Sequence, residues 1–382
     1  MFKKRFSIIT VLIACICSCC LVVGGMIYGL HLASGNLPET IKFFRALSIV
    51  RNNFIEPVDH VKLYEGAIKG MVNALGDPYS VYLDEENYKS LVTNTEGHFG
   101  GIGVVLGMKD DNFVVIAPLK GTPGERAGIK SGDKILAIDG NKTAGQTLEE
   151  VVAQIRGVSG TAVEIDLKTA TGELRTVRVI RSDIKLETVA GEMKDKGIGY
   201  IRIGMFNENT AADFIKKYHD LEGQGMKALV LDLRDNPGGL LGESVKVAEL
   251  MVPKGPIVSV TERSGKSITE YSNLDKTKYP IAVLVNQGSA SAAEIVAGAI
   301  QDTKVGKLFG TKTFGKGSVQ TVQNLDERTG LKLTVAHYYT PSGRSINGIG
   351  IEPDVIIEAA GEKVDNQIAA AIDYLEKELE KK

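Results

Sequence analysis

The first hydrophobic pattern along the chain is an almost unbroken apolar run over residues 6–32, directly after the basic residues 3–5 (KKR). A bilayer crossing takes about 20 apolar residues, so this run is long enough to span one. The basic flank predicts an N-terminus in the cytoplasm. A signal peptide has a shorter apolar core, roughly 7–15 residues, and ends at a small-residue cleavage site. The pattern therefore favours an uncleaved membrane anchor over residues 1–35, with secretion after signal cleavage as the alternative.

Helical spacing of apolar residues characterises residues 36–95. Apolar positions recur at intervals of three and four within Phe43–Val50 and again within Leu63–Leu75. Residues 76–78 (GDP) form a turn signal that ends the second helix. We expect a helical module that serves packing or dimerisation.

Short strand-like runs separated by turn residues replace this spacing over residues 96–185. Residues 100–108 (GGIGVVLGM) have the pattern of a glycine turn leading into a strand. A capping box, Thr147-x-x-Glu150, precedes an apolar helix. Many short strands with one or two helices predict a small barrel-like domain. The other strands are expected at residues 113–117, 134–138, 162–167 and 175–180.

This region resembles a PDZ domain over nearly its full length, and residues 127–135 (AGIKSGDKI) carry the resemblance. The resemblance implies that a loop of Gly100, Gly101, Ile102 and Gly103 binds the C-terminal carboxylate of a peptide. In PDZ domains the backbone N–H groups of such a loop hold the carboxylate, and the peptide adds to the sheet as a strand. The alternative is that these glycines only form a tight turn.

Strand and helix patterns alternate over residues 186–358. Repeated β–α units predict a largely parallel sheet covered by helices, so the whole chain is expected to be a multi-domain α/β protein. The C-terminal segment 359–382 contains an amphipathic helix over residues 364–379, whose apolar face fits core packing or a subunit contact equally well. Strands are expected at residues 197–203, 281–286 and the start of 227–239, and helices at 210–221, 242–252 and 291–302.

Composition removes several classes of function. The 382 residues are 43% hydrophobic and 24% charged with a net charge of −2, which gives no reason to expect a nucleic-acid partner. All four cysteines lie in the N-terminal apolar run, so disulfides and thiol catalysis are excluded from the rest of the chain. Cys15 also fits a lipoprotein signal, but the apolar run continues beyond it. No histidine pair has ligand spacing, so neither a metal nor another cofactor is expected.

Ser291 stands where a buried-type strand meets a helix. Backbone N–H groups point outward at such a junction, and the helix dipole favours negative charge there. Residues 289–293 (SASAA) resemble the elbow in which hydrolases hold a nucleophile between small neighbours. The alternative is structural, because Ser291 and Glu294 also have the spacing of a capping box.

Lys316 is the candidate base, because no histidine is near Ser291 in the sequence. A lysine accepts a proton only when it is neutral, which requires burial to lower its pKa from about 10.4. If a strand follows, Lys316 and Gln320 share one face, and Gln320 can orient the amine. A phosphate loop beginning at Gly310 is the alternative, but Gly317 replaces the hydroxyl residue that such a loop requires.

Ser291 and Lys316 together resemble the C-terminal processing peptidases, or tail-specific proteases, over most of residues 37–358. The family's lysine follows its serine nucleophile by 25 residues, which matches 316 − 291 = 25 here. Gln320 matches the family's glutamine, whereas Ala293 replaces a third serine that many members carry. The motifs that carry the resemblance are DLRDNPGG (232–239), GSASAAEIVAGAIQD (288–302), TFGKGSVQ (313–320) and TPSGRSINGIGIEPDV (340–355).

The resemblance implies a β/α protease core of crotonase/ClpP-like type in which Lys316 takes the proton of Ser291. The oxyanion needs fixed donors, and we expect the backbone N–H of Ala292 together with that of Gly238 or Gly239.

The expected protein is a single-pass membrane-anchored serine endoprotease with its catalytic domain outside the cytoplasm. Its substrates would be unfolded or tail-exposed proteins recognised by their C-termini, and a homodimer and a regulatory protein are open as further partners. A PDZ scaffold with an inactive protease domain and a crotonase-like acyl-transfer enzyme are the alternatives.

Overall fold

A computed structural model describes residues 8–109, 112–119, 121–169, 171–360 and 365–381 of the chain. The chain forms two compact units, Met1–Ala74 and Leu75–Lys382. The basic residues 3–5, which carry part of the membrane-anchor prediction, lie outside the described residues, as does Val364 of the predicted C-terminal helix. Among the described residues, no helix combines the length and the apolar character that a membrane crossing requires.

The first unit is helical, as its apolar spacing predicts. Asn36 caps α2 by accepting the Glu39 N–H, and Asp59 caps α3 by accepting the N–H groups of Val61 and Lys62. The helices are α1 (Ile8–Ser34), α2 (Leu37–Asn53) and α3 (His60–Asn73).

The second unit contains the PDZ-like region and the core with Ser291. Its described helices are α4 (Glu85–Glu96), α5 (Pro123–Arg126), α6 (Leu148–Ile155), α7 (Thr210–Gly223), α8 (Leu241–Glu249), α9 (Ala292–Asp302) and α10 (Asn366–Glu380), with a 3₁₀ turn at Asp195–Gly197. Its first nine described strands are β1 (Val81–Leu83), β2 (His98–Gly101), β3 (Val104–Lys109), β4 (Asn112–Pro118), β5 (Lys134–Ile138), β6 (Asn141–Lys142), β7 (Ala162–Lys168), β8 (Leu174–Ile180) and β9 (Ser182–Lys185). The later described strands are β10 (Val189–Lys194), β11 (Ile198–Ile203), β12 (Ala228–Asp232), β13 (Gly255–Glu262), β14 (Ser267–Ser272), β15 (Ile281–Val285), β16 (Gly306–Gly310), β17 (Ser318–Asn324), β18 (Gly330–Tyr339) and β19 (Val355–Ile356).

The PDZ-like region is an antiparallel sheet in the order β3-β4-β5-β7-β8, with β6 beside β5. Helix α6 begins at the predicted capping box, in which Thr147 and Glu150 each accept the other's backbone N–H. Alternate residues such as Val163 and Ile165 point into one buried core. Strand β3 lies at the end of this sheet and pairs with β4 on one side.

The glycine turn expected at residues 100–103 is partly wrong. Gly100 and Gly101 belong to strand β2, which pairs antiparallel with β9. Gly100 is required for packing, because a Cβ atom there would lie 2.0 Å from the carbonyl oxygen of Gly157. The Gly157 N–H in turn donates to the Gly100 carbonyl at 3.0 Å.

The core contains the predicted, largely parallel sheet, in the order β10-β11-β12-β15-β16-β19. Strands β11, β12, β15, β16 and β19 are parallel, and β10 is an antiparallel edge. Both faces are covered, so β12 and β15 are buried at every position. Helices α7, α8 and α9 pack on one face, whereas α10 packs on the other through Ala371 and Leu375. The apolar face of α10 therefore packs on the core of its own chain.

A second, antiparallel sheet lies beside this core, in the order β1-β18-β13-β14 with β17 paired to β18. Strand β17 begins two residues after Lys316, so it fixes the loop that carries the candidate base. Strand β1 brings the segment before it to this second sheet, because Val81 of β1 is the register partner of Lys332 on β18.

Candidate active site

Ser291 occupies the sharp turn between β15 and α9. Its backbone has φ 53° and ψ −114°, a conformation that a residue with a side chain adopts only when its surroundings enforce it. The Ser291 N–H donates to the Glu294 carboxylate at 2.9 Å, and the Ser291 carbonyl accepts the Tyr338 hydroxyl at 3.0 Å. The predicted strand–turn–helix setting is confirmed, and two buried side chains hold the serine in it.

Ser289, the neighbouring candidate, has a structural environment. The residue is fully buried. Its hydroxyl donates to the Leu233 carbonyl at 2.7 Å and accepts the Asn286 N–H at 3.0 Å. These bonds tie the turn to the end of β12 and leave Ser291 as the better candidate for a nucleophile.

Lys316 is half-buried on the loop before β17. Burial lowers the pKa of its ammonium group, and the charge of Lys332 lowers it further. The carboxylates of Asp77 and Glu294 act in the opposite direction. The ring of Tyr79 lies beside the amine, with 5.0 Å between the Nζ atom and the ring centroid.

The candidate residues come together around one cavity of about 480 Å³. Ser291 and Lys316 both line it, although 25 residues separate them in the sequence. Apolar side chains from α4, α8 and α9, including Leu91, Leu241 and Ile295, form part of its wall. The other predicted site residues on this wall are Gly238, Gly239, Ala292 and Gln320.

Glu294 joins the two halves of this site, although its sequence position predicts only a helix cap. Its fully buried carboxylate accepts the N–H groups of Ser291 and Lys316, both at 2.9 Å. It also accepts the Thr313 hydroxyl at 2.5 Å and the Gly315 N–H at 2.8 Å. Burial raises the pKa of Glu294, and these hydrogen bonds oppose the rise. The available signal was an acidic residue in the first turn of a helix that is otherwise apolar up to Ile300.

Gln320 lines the cavity, but its amide is directed elsewhere than expected. Its Nε2 atom donates to the Ser318 hydroxyl at 2.9 Å and to the Thr334 hydroxyl at 3.2 Å. Within the described part of the chain, no hydrogen bond joins Gln320 to Lys316. The orienting role that the resemblance implies for Gln320 therefore stays a prediction.

The two glycines proposed for the oxyanion hole differ in what their N–H groups do. The Gly238 N–H already donates to the buried Asn236 side chain at 2.9 Å. For the N–H groups of Gly239 and Ala292, the described residues provide no acceptor. Gly238 packs directly against the turn at Ser291, since a Cβ atom there would lie 2.8 Å from the Ser291 Cβ atom.

Comparison with known proteins gives this site its context. Residues 197–357 match peptidase family S41, residues 90–170 match the PDZ domain, and residues 31–87 match the N-terminal domain of the activating protease CtpB. The carboxy-terminal-processing protease of Bartonella bacilliformis is 41% identical over 318 residues, which cover 81% of this chain and 73% of that protein. The chain belongs to peptidase family S41. The predicted family is thereby confirmed, and the protein is a serine-type endopeptidase with a PDZ domain.

A second relative supports the family, and one solved structure shares the fold. The carboxy-terminal processing protease CtpA of Bacillus subtilis is 38% identical over 353 residues, which cover 92% of this chain and 76% of that protein. An S41 protease from Bacteroides fragilis shares the fold, with a TM-score of 0.52 and 16% identity over 86% of this chain and 96% of that one.

A salt-bridge network in this S41 protease supports the loop that contains Gly238. Arg234 pairs with Asp232 at the end of β12 at 2.6 Å and with Asp365 at the start of α10 at 2.8 Å. Its Nη1 atom also donates to the Gln367 side chain at 2.9 Å. No local sequence pattern predicts this network, because residues 234 and 365 are distant in the sequence.

The PDZ loop of this S41 protease is anchored by its carbonyl groups. The carbonyls of Ile102 and Gly103 accept the N–H groups of Gly124 at 2.7 Å and Leu119 at 2.8 Å. The Ile102 side chain is buried in the PDZ core. Gly103 has φ +73°, and a Cβ atom there would lie 2.4 Å from Thr122. Packing alone therefore explains three of the four predicted positions, Gly100 included, and carboxylate binding stays a prediction.

Metal chemistry has no candidate site within the described residues, where no group of histidine, cysteine, aspartate and glutamate side chains could hold an ion.

Proposed function

We propose that Ser291 is the nucleophile and Lys316 the general base of this endopeptidase. The carboxylate of Glu294 carries the proposal, because it binds the backbone N–H groups of both residues at 2.9 Å beside a shared cavity. The lowered pKa of Lys316 increases the fraction of neutral amine at neutral pH. That amine takes the Ser291 proton as Oγ attacks the peptide carbonyl.

The remaining steps follow from the same groups. The developing oxyanion would lie between the N–H groups of Ala292 and Gly239, since the Gly238 N–H is engaged by Asn236. Protonated Lys316 returns its proton to the leaving amine, and water then hydrolyses the acyl-enzyme.

The test of the dyad uses the purified protein and an unfolded substrate protein. Ser291→Ala should abolish cleavage. Ser289→Ala should retain it if the variant folds, because the Ser289 hydroxyl makes only structural bonds. Mass spectrometry of the products identifies the cut sites, and circular dichroism checks folding. Cleavage by Ser291→Ala would exclude the dyad. A folded wild-type protein that cleaves nothing would instead favour a PDZ scaffold with an inactive protease domain.

The PDZ domain is proposed to select substrates by their C-termini. Strand β3 lies at the end of its sheet, so a peptide can pair with its open edge beside α6. For the N–H groups of Ile102 and Gly103, the described residues provide no acceptor, so both can donate to a carboxylate. Amidating a substrate's C-terminus should then slow its cleavage. Equal rates for the amidated and free peptides would rule out carboxylate recognition.

We propose further that the N-terminal segment anchors the enzyme in the cell membrane, with its catalytic domain outside the cytoplasm. The support is the apolar run over residues 6–32 and the basic residues before it. Extraction with alkaline carbonate and with detergent, compared between the full chain and a variant lacking residues 1–35, tests the anchor. N-terminal sequencing of the purified protein separates an anchor from a cleaved signal peptide.

A homodimer is proposed through the first unit. Helix α2 buries none of its side chains, and Ile41, Phe43 and Phe44 are all about half exposed. Exposed apolar side chains of this kind commonly mark interaction surfaces. Analytical ultracentrifugation of the soluble segment should show a dimer that Phe43→Ser with Phe44→Ser converts to a monomer.

A further inference from the structure

The turn before strand β1 contacts the candidate base, although it lies more than two hundred residues earlier in the sequence. The ring of Tyr79 lies next to the Lys316 amine, with 5.0 Å between Nζ and the ring centroid. A cation within about 6 Å of an aromatic centroid is attracted by the negative face of the ring. The contact therefore favours the protonated amine in this position.

The backbone at Tyr79 is held in place by hydrogen bonds of the turn. The Asp77 carboxylate accepts the Tyr79 N–H at 3.2 Å and the Ser80 hydroxyl at 2.6 Å. Ser80 is buried, and its oxygen accepts the Thr334 N–H of β18 at 3.0 Å. Since β1 then pairs with β18, the turn is attached to the sheet directly after the tyrosine.

Thr334 of β18, which binds Ser80, also binds Gln320. The Thr334 hydroxyl accepts the Gln320 amide at 3.2 Å, while its backbone N–H binds Ser80. Ser80, which follows the tyrosine, and Gln320 are thus both bound to Thr334, on the strand next to β17. A group held this firmly beside a flexible lysine side chain can define where its amine lies.

We propose that Tyr79 is a positioning residue for Lys316, whose ring holds the protonated amine beside the cavity that contains Ser291. The inference rests on the proposed function of Lys316 as the base. A general base must release its proton again to the leaving amine, so a defined position for the protonated form is part of the cycle.

The charges around Lys316 determine the direction of the expected effect. Glu294 of α9 and Asp77 of the turn favour its charged form, whereas burial and Lys332 of β18 favour the neutral form. The Tyr79 ring also favours the charged form of Lys316. Weakening the ring's negative face should therefore lower the pKa of Lys316 and move the acidic limb of the kcat/KM profile to lower pH.

The experiment replaces Tyr79 with Phe and then with mono-, di- and trifluorinated phenylalanines, which progressively weaken the ring's negative face at nearly constant shape. The variants carry His337→Gln, which removes the histidine lining the cavity beside Tyr79. Tyr79→Phe should keep the acidic limb of the protein that carries His337→Gln alone. The fluorinated series should shift it downward in order, by about 0.5 to 1 pH unit in total.

The outcomes are distinct. A limb that stays in place across the fluorinated series overturns the proposal, as does a shift in Tyr79→Phe equal to that of the trifluorinated variant. A merely structural role would lower the rate at every pH without moving the limb. Lys316→Arg is measured in the same assay. An active arginine variant would refute the proposed role of Lys316 as the base, whatever the Tyr79 series shows.

Discussion

The substitution Glu294→Gln tests the connection between the proposed nucleophile Ser291 and the proposed base Lys316. It keeps the shape of the side chain and replaces one oxygen with a donor. Oε2 accepts the N–H groups of Ser291 and Lys316, and Oε1 accepts the Thr313 hydroxyl and the Gly315 N–H. The amide should turn its nitrogen towards Thr313, whose hydroxyl can reverse and accept. The Gly315 N–H is then left facing a donor.

The magnitude follows from this arrangement. One buried N–H without a partner costs about 1–3 kcal/mol, and the remaining hydrogen bonds lose their charged acceptor. We expect the free energy of unfolding to fall by about 2–4 kcal/mol. The value of kcat/KM should fall about 100-fold or more, since a 1 Å displacement between reacting groups costs that much.

The assay combines urea unfolding, followed by circular dichroism, with single-turnover cleavage of a fluorogenic peptide. Glu243→Gln is the matched control, because Glu243 is also a buried helical glutamate and accepts the Ala211 N–H at 2.9 Å, outside the cavity wall. It should lose stability while keeping its activity. If Glu294→Gln loses stability but cleaves as fast as the control, Glu294 has no part in aligning the dyad.

Four further outcomes are expected. Ser291→Ala should show no cleavage above background in the product assay, and Ser289→Ala should retain cleavage wherever circular dichroism shows it folded. Lys316→Arg should be inactive because arginine stays protonated. The wild-type rate should rise with pH as the lowered pKa of Lys316 is passed, and an arginine variant with the same pH profile would contradict the role of Lys316 as the base. Gln320→Ala should be impaired less than Lys316→Arg in kcat/KM, since its amide binds Ser318 and Thr334 rather than the amine. Tyr338→Phe removes the hydrogen bond to the Ser291 carbonyl and should lower the free energy of unfolding by about 0.5–1.5 kcal/mol. It should change kcat more than KM by lowering kcat, and an unchanged kcat would make the bond purely structural.

The alternation of strands and helices was readable from the sequence because it is a local property. Strand β5 and the capping box of α6 lie where the apolar period and the turn residues predict them. The elbow at Ser291 is predictable for the same reason, since its small neighbours and the following helix are adjacent in the sequence.

The errors and omissions concern pairs that are distant in sequence. Gly100 and Gly101 have the composition of a turn, but β9, more than eighty residues later, makes them a strand. Glu294 resembles an ordinary helix cap until the loop at Thr313–Lys316 folds onto it. The apolar face of α10 has the same pattern whether it packs on its own core or on another subunit, so periodicity could not decide between them.

The pairing of β2 with β9 means that the chain leaves the catalytic core and returns to it at adjoining points. The Leu186 N–H, directly after β9, donates to the Gly97 carbonyl, directly before β2, at 2.8 Å. The PDZ domain is thus an insertion whose two ends lie side by side, and none of the described strands of the core sheet belongs to it. A different recognition domain with neighbouring termini could replace it as a cassette, so substrate choice can change in evolution or by engineering without any change to the hydrolytic machinery.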